Sequence, residues 1–174
     1  MNKYYFRYTI QSLILLLLQV VVMNNIRLFG YLIPIVYLYP LIFLPYQAPR
    51  WLTTLLGTLV GVLMDTAMNT PGLNMASATL VGYLRNPLLF ALTEHQAIED
   101  LSAPIRPSIY TMKRSKYLLF ILLTTAIHIT TLLLLEAFSS TLFLQMVPHI
   151  LGSILITCII FAIFEAFSKR NHPA

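Results

Sequence analysis

The sequence predicts an all-α integral membrane protein, a bundle of about six transmembrane helices. Three observations carry this reading. Apolar residues make up 58% of the 174 positions and charged ones only 10%, against about 25% charged in a soluble domain. The apolar residues gather in six segments, most of them near the length of one bilayer crossing. The basic residues fall between alternate segments, as the positive-inside rule requires.

The first segment covers about 8–23. Lys3 and Arg7 precede it, as they would precede a secretory signal. However, Met23-Asn24-Asn25 offers no small-residue cleavage site and further apolar segments follow, so it reads as an uncleaved span. The second covers about 31–44 and holds Pro34 and Pro40, with Pro45 just beyond. Proline removes a backbone donor and kinks a helix. The freed carbonyls must find donors inside the protein. A kinked helix shielded by its neighbours is expected; a re-entrant segment is the alternative, and it would reverse the orientation of all that follows. The third and fourth segments, about 51–68 and 73–92, are joined by a tight turn at Pro71-Gly72. The fifth and sixth cover about 117–138 and 142–167. Between the fourth and fifth, the linker of about 93–116 is the only sizeable extramembrane piece, with Glu94, Glu99, Asp100, Arg106, Lys113, Arg114 and Lys116. The chain reads as a single transmembrane domain without internal repeats.

Six spans with a cytoplasmic N-terminus place every one of the 11 Lys and Arg residues except Arg27 on the cytoplasmic side. Five spans would split them. Tyr4, Tyr5, Phe6, Tyr8, Trp51 and Tyr117 then fall at the inner interface, where amphipathic rings are favoured. No basic face interleaved with aromatics marks a nucleic-acid binder. Cys158, the single cysteine, lies in an apolar run, which rules out an internal disulfide or a thiolate cluster. No cofactor or metal is expected. No nucleophile motif, zinc-binding helix or phosphate loop is present, so catalysis is not expected either.

The most informative stretch contains Gly57, Gly61 and Asp65, which recur every four residues and share one helix face. Two glycines at this spacing let another helix approach closely. That helix can belong to the same bundle or to a partner. Asp65 lies roughly 21 Å along the helix from Trp51 at about 1.5 Å per residue, in the outer third of the bilayer. It can accept hydrogen bonds from the turn over 69–74, or pair with a group on a partner; sharing the glycine face favours the partner. Arg85 is placed to snorkel to the inner headgroups as an anchor. His128 and Glu136 lie too far apart on one helix to form a joint site and are expected to make interhelical hydrogen bonds. Glu165 is expected to pair with Lys169 one turn on.

Gly57, Gly61, Asp65, Gly72, Leu73, Asn74 and Val81-Gly82-Tyr83-Leu84-Arg85 together resemble the MreD family, the membrane component of the bacterial rod-shape complex. The specific match covers about thirty residues. Length, helix count and the short basic start also agree. The proline-bearing linker departs from the family pattern. The resemblance implies a non-catalytic scaffold in the inner (cytoplasmic) membrane, with both termini cytoplasmic. It implies binding to the bitopic protein MreC and, through it, links to the MreB filament and the wall polymerase and transpeptidase. It assigns Gly57, Gly61, Asp65, Gly72, Leu73, Asn74, Gly82 and Tyr83 to helix packing or a partner interface. It also implies a bundle similar to the substrate-binding subunits of vitamin uptake transporters. A small-molecule-binding transporter subunit is the rival reading. The sequence leaves self-association and lipid binding open.

Overall fold

The computed structural model describes residues 2–23, 34–93, 106–109, 111–137 and 140–168, with backbone alone for 2–8, 140–145 and 166–168. The loop candidates Asn24, Asn25 and Arg27, the linker charges Glu94, Glu99 and Asp100, and Lys169 and Arg170 lie outside these residues.

The described chain is helical, without strands. Helix α1 covers Asn2–Leu18 and continues into a π-helical turn over Gln19–Met23. Then come α2 (Tyr39–Ile42), α3 (Arg50–Met68), α4 (Leu73–Leu92), α5 (Arg114–Ala137) and α6 (Ser140–Ser168). Three stretches, Arg50–Met68, Arg114–Ala137 and Met146–Glu165, are long and apolar enough to cross a membrane. Thr9–Met23 is a shorter apolar helix. Helix α4 has 20 residues, about 30 Å of helix, but carries Asn74, Ser77, Arg85 and Asn86 buried along it. Outward stripes such as Leu55, Leu59 and Leu63 on α3 and Leu151, Leu155, Ile159 and Ile163 on α6 stay exposed. A bilayer solvates such stripes and water does not. The protein is a helical membrane protein.

The second apolar segment departs from expectation. Among its described residues only the four of α2 are helical, so it is not a kinked spanning helix. Residues 34–46 are nonetheless all buried. Pro34 and Pro40 account for the break, since neither can donate to a helical ladder. Irregular backbone at membrane depth survives only when protein surrounds it. Here the surrounding helices supply the missing partners. The Gln19 side chain donates to the Pro34 carbonyl (3.0 Å) and accepts the Val36 N–H (2.6 Å). Thr157 of α6 accepts the Ile35 N–H (3.1 Å). Tyr37 reaches Asn74 near the start of α4, while Ile42 meets Arg85 further along it. These two α4 residues are about 16 Å apart on the axis. The segment therefore packs alongside α4.

Candidate functional site

Helices α3 and α4 form the most closely packed pair, and small residues set its register. A Cβ added to Gly57 would meet the Ala78 carbonyl oxygen at 2.5 Å, and one added to Gly61 would meet Met75 Cα at 2.4 Å. A Cβ on Gly82 would meet the Thr53 carbonyl oxygen at 2.4 Å. All three are backbone contacts that cannot yield without moving a helix. Thr53 Oγ1 donates to the Gly82 carbonyl (2.8 Å), and Thr58 and Thr79 hydroxyls meet at 2.9 Å. The glycine face is thus occupied inside the chain, and no partner helix can enter it.

Asp65 continues the same face. Helix α3 ends at Asn69, a left-handed residue (φ 55°), and α4 starts after Gly72 (φ 83°), where glycine avoids the Cβ penalty. Gly72 offers no side-chain cap, so the first N–H groups of α4 need another acceptor. Asp65 supplies it. Oδ1 accepts from the Asn74 N–H (2.9 Å), Asn74 Nδ2 (3.0 Å) and Thr70 Oγ1 (2.9 Å), and Oδ2 accepts the Met75 N–H (2.9 Å). The carboxylate is a cap borrowed from the preceding helix, placed where the positive end of the α4 dipole favours an anion. Of the two roles open to Asp65 in the sequence, the hydrogen bonds place it in the turn.

From Asp65 a polar chain runs inward. Asn74 Nδ2 faces the carboxylate, so its Oδ1 faces Tyr37 and accepts the phenolic O–H at 2.9 Å. That uses the one phenol proton. The 2.7 Å contact between Tyr37 and His128 Nε2 therefore has the imidazole as donor. The rings meet edge to face, 5.4 Å apart. Tyr37, Asn74 and His128 are all buried. His128 thus makes a long-range hydrogen bond, but to the non-helical segment before α2. Glu136 is exposed near the end of α5 and is not brought to His128.

Arg85 corrects a sequence expectation. Its side chain is 0% exposed, so it is not a headgroup anchor. The guanidinium turns inward and donates to the Ile42 carbonyl through Nε (2.9 Å), to Asn86 Oδ1 through Nη1 (2.8 Å) and to the Leu44 and Pro45 carbonyls through Nη2. Asn86 donates to the Ala48 carbonyl (2.9 Å). The planar fork of arginine suits several carbonyls at once, and these carbonyls lie just where the α2 segment unwinds.

Of the remaining candidates, Leu73 is half-buried in the first turn of α4 and Tyr83 is exposed on its outer side. Glu165 pairs with Arg106 of the linker at 3.5 Å, and Arg106 also donates to the Tyr39 hydroxyl at 3.4 Å. Lys169, its expected partner, is outside the described residues. Sequence reasoning missed Gln19, Tyr37 and Thr157. Gln19 alone carried a signal, as a polar residue within an apolar run.

The arrangement holds irregular backbone inside a bundle. Among the described residues, no three His, Cys, Asp or Glu side chains gather as metal ligands. No family model, no curated protein and no solved structure matches the chain.

Proposed function

We propose that this protein is a non-catalytic membrane scaffold of the bacterial rod-shape complex, of the MreD kind, that binds MreC and helps direct lateral wall synthesis. One observation carries the reading. The residues that prompted the resemblance, Gly57 to Arg85, converge in one α3–α4 hairpin and are used in internal contacts. Such a motif builds a rigid body and leaves the outward helix faces for partners. In this reading the chain crosses the inner membrane six times, the buried 34–46 segment serving within the second pass. Both termini are cytoplasmic, and the bundle is related in shape to vitamin-transporter subunits. Arg50, Arg85 and Arg106 all lie toward the end of the bundle that this topology makes cytoplasmic.

The transporter-subunit reading gains nothing from the site. Asp65 and Asn74, two of its candidate pocket groups, are bonded to each other and to their neighbours. The test is tagged purification from crosslinked native membranes, together with rescue of rod shape in a depleted strain. Recovery of a bitopic MreC-type protein and restored rods support the scaffold. Recovery of a transporter's energising subunits, or of a small ligand without any bitopic protein, contradicts it.

A further inference from the structure

Where α3 begins, a shallow, open groove of about 500 Å³ lies on the outward-facing side of the α3–α4 pair, lined by Arg50, Trp51, Thr54, Leu55, Thr58 and Tyr83. Its construction starts from Pro87. A proline within a helix cannot donate to the carbonyl four residues earlier, which is that of Tyr83. Arg50 Nε donates to this carbonyl at 3.1 Å. The guanidinium then lies over the Tyr83 ring, its carbon 3.6 Å from the centroid. The side chain is thereby held in one place on the surface, and its two Nη groups take no part in that bond. Trp51 is 67% exposed beside it, and Leu55 and Leu59 continue the apolar stripe along α3. The first turn of α3 has no side-chain cap, and the helix dipole puts partial positive charge at the same end of the groove as Arg50.

We propose that this groove seats an anionic glycerophospholipid, its phosphate on Arg50 and an acyl chain along Leu55 and Leu59. Charge complementarity selects the occupant. A fixed guanidinium matches phosphate oxygens, the lining carries that one positive charge and no acidic side chain and so favours a headgroup without a cation of its own, a tryptophan and a tyrosine mark headgroup depth, and the stripe below is apolar. The site stands independently of the scaffold reading, since it needs no partner protein.

Trp51 is the single tryptophan of the chain, so its fluorescence reports this groove alone. The purified chain is reconstituted in phosphatidylcholine vesicles with increasing mole fractions of dibrominated phosphatidylglycerol or dibrominated phosphatidylcholine. Half-maximal quenching is expected at about fivefold lower mole fraction of the anionic lipid, the preference one basic side chain confers near a membrane surface. Arg50→Gln should abolish the preference, while Arg114→Gln should keep it. If Arg50→Gln does not accumulate, Tyr83→Ala, which removes the exposed supporting ring, should weaken the preference instead. Equal quenching by both lipids in the unaltered chain overturns the proposal. So does a preference that survives in Arg50→Gln or, in its place, in Tyr83→Ala. Shielding of Trp51 from both lipids, relieved on dilution in the bilayer, would place a second copy of the chain in the groove and equally overturn it.

Discussion

The carboxylate of Asp65, in the last turns of α3, accepts the backbone N–H of Met75, in the first turn of α4, at 2.9 Å. With the bonds from Thr70 and Asn74, four donors converge on two oxygens. An asparagine at this position supplies one acceptor oxygen and a donor in place of the other. Asp65→Asn should therefore leave at least one donor unmatched and cost about 1–3 kcal/mol. Thermal unfolding of the purified protein in detergent checks this: a fall of several degrees is expected, and an unchanged midpoint would remove Asp65 from the turn's stability.

The glycines divide into two kinds. Gly57, Gly61 and Gly82 sit against backbone atoms, whereas a Cβ on Gly72 would meet nothing within 4 Å. Gly61→Ala should force the helices apart and cost about 1–3 kcal/mol by overpacking. Gly72→Ala should cost about 1–2 kcal/mol through its left-handed backbone alone. Size-exclusion profiles of fluorescent fusions separate the two. Gly61→Ala should lose the monodisperse peak more readily on heating than Gly72→Ala, and the reverse order would argue against close packing as the glycines' role.

Arg85 offers a direct contrast between anchoring and clamping. A headgroup anchor tolerates lysine, since the charge still reaches the interface. A clamp on several carbonyls does not, because an ammonium group lacks the planar fork. Arg85→Lys should destabilise the fold by about 1–3 kcal/mol, and limited proteolysis should open the chain near residues 42–48. Wild-type resistance in Arg85→Lys would restore the anchor reading.

Tyr37 joins Asn74 to His128, and its deletion should orphan both. Tyr37→Phe is expected to lower stability by about 1–3 kcal/mol. In a double-mutant cycle with His128→Leu the two losses should not add, since the groups share a hydrogen bond. Simple additivity in thermal unfolding would mean that the contact carries no energy.

Much of the fold is legible in the sequence because hydropathy and turn chemistry are local. The run from Arg50, the stop at Asn69 and Gly72, and the four-residue spacing of Gly57, Gly61 and Asp65 define the α3–α4 hairpin without any tertiary information. What occupies the glycine face is not legible, because the periodicity is the same for an internal or an external helix. Arg85 misleads for a related reason. Its position near a helix end fits an anchor, and only the path of residues 34–48 shows that carbonyls await it inside. The prolines signal that this segment breaks, but the hydrogen-bond partners that repair it, Gln19, Thr157 and Arg85, come from three distant helices. Their matching is a property of the packed bundle.

The central claim is a closed bundle that offers its outward faces to a bitopic partner. Site-specific photocrosslinking in living cells tests it most directly, with the photoreactive residue placed in turn at the exposed Leu59, Leu122 and Leu155 and at the fully buried Ala78. Capture of an MreC-type bitopic protein from at least one exposed position, and from none at Ala78, is the predicted result. Capture from Ala78, or no bitopic protein from any face of an abundant and folded chain, would contradict the account.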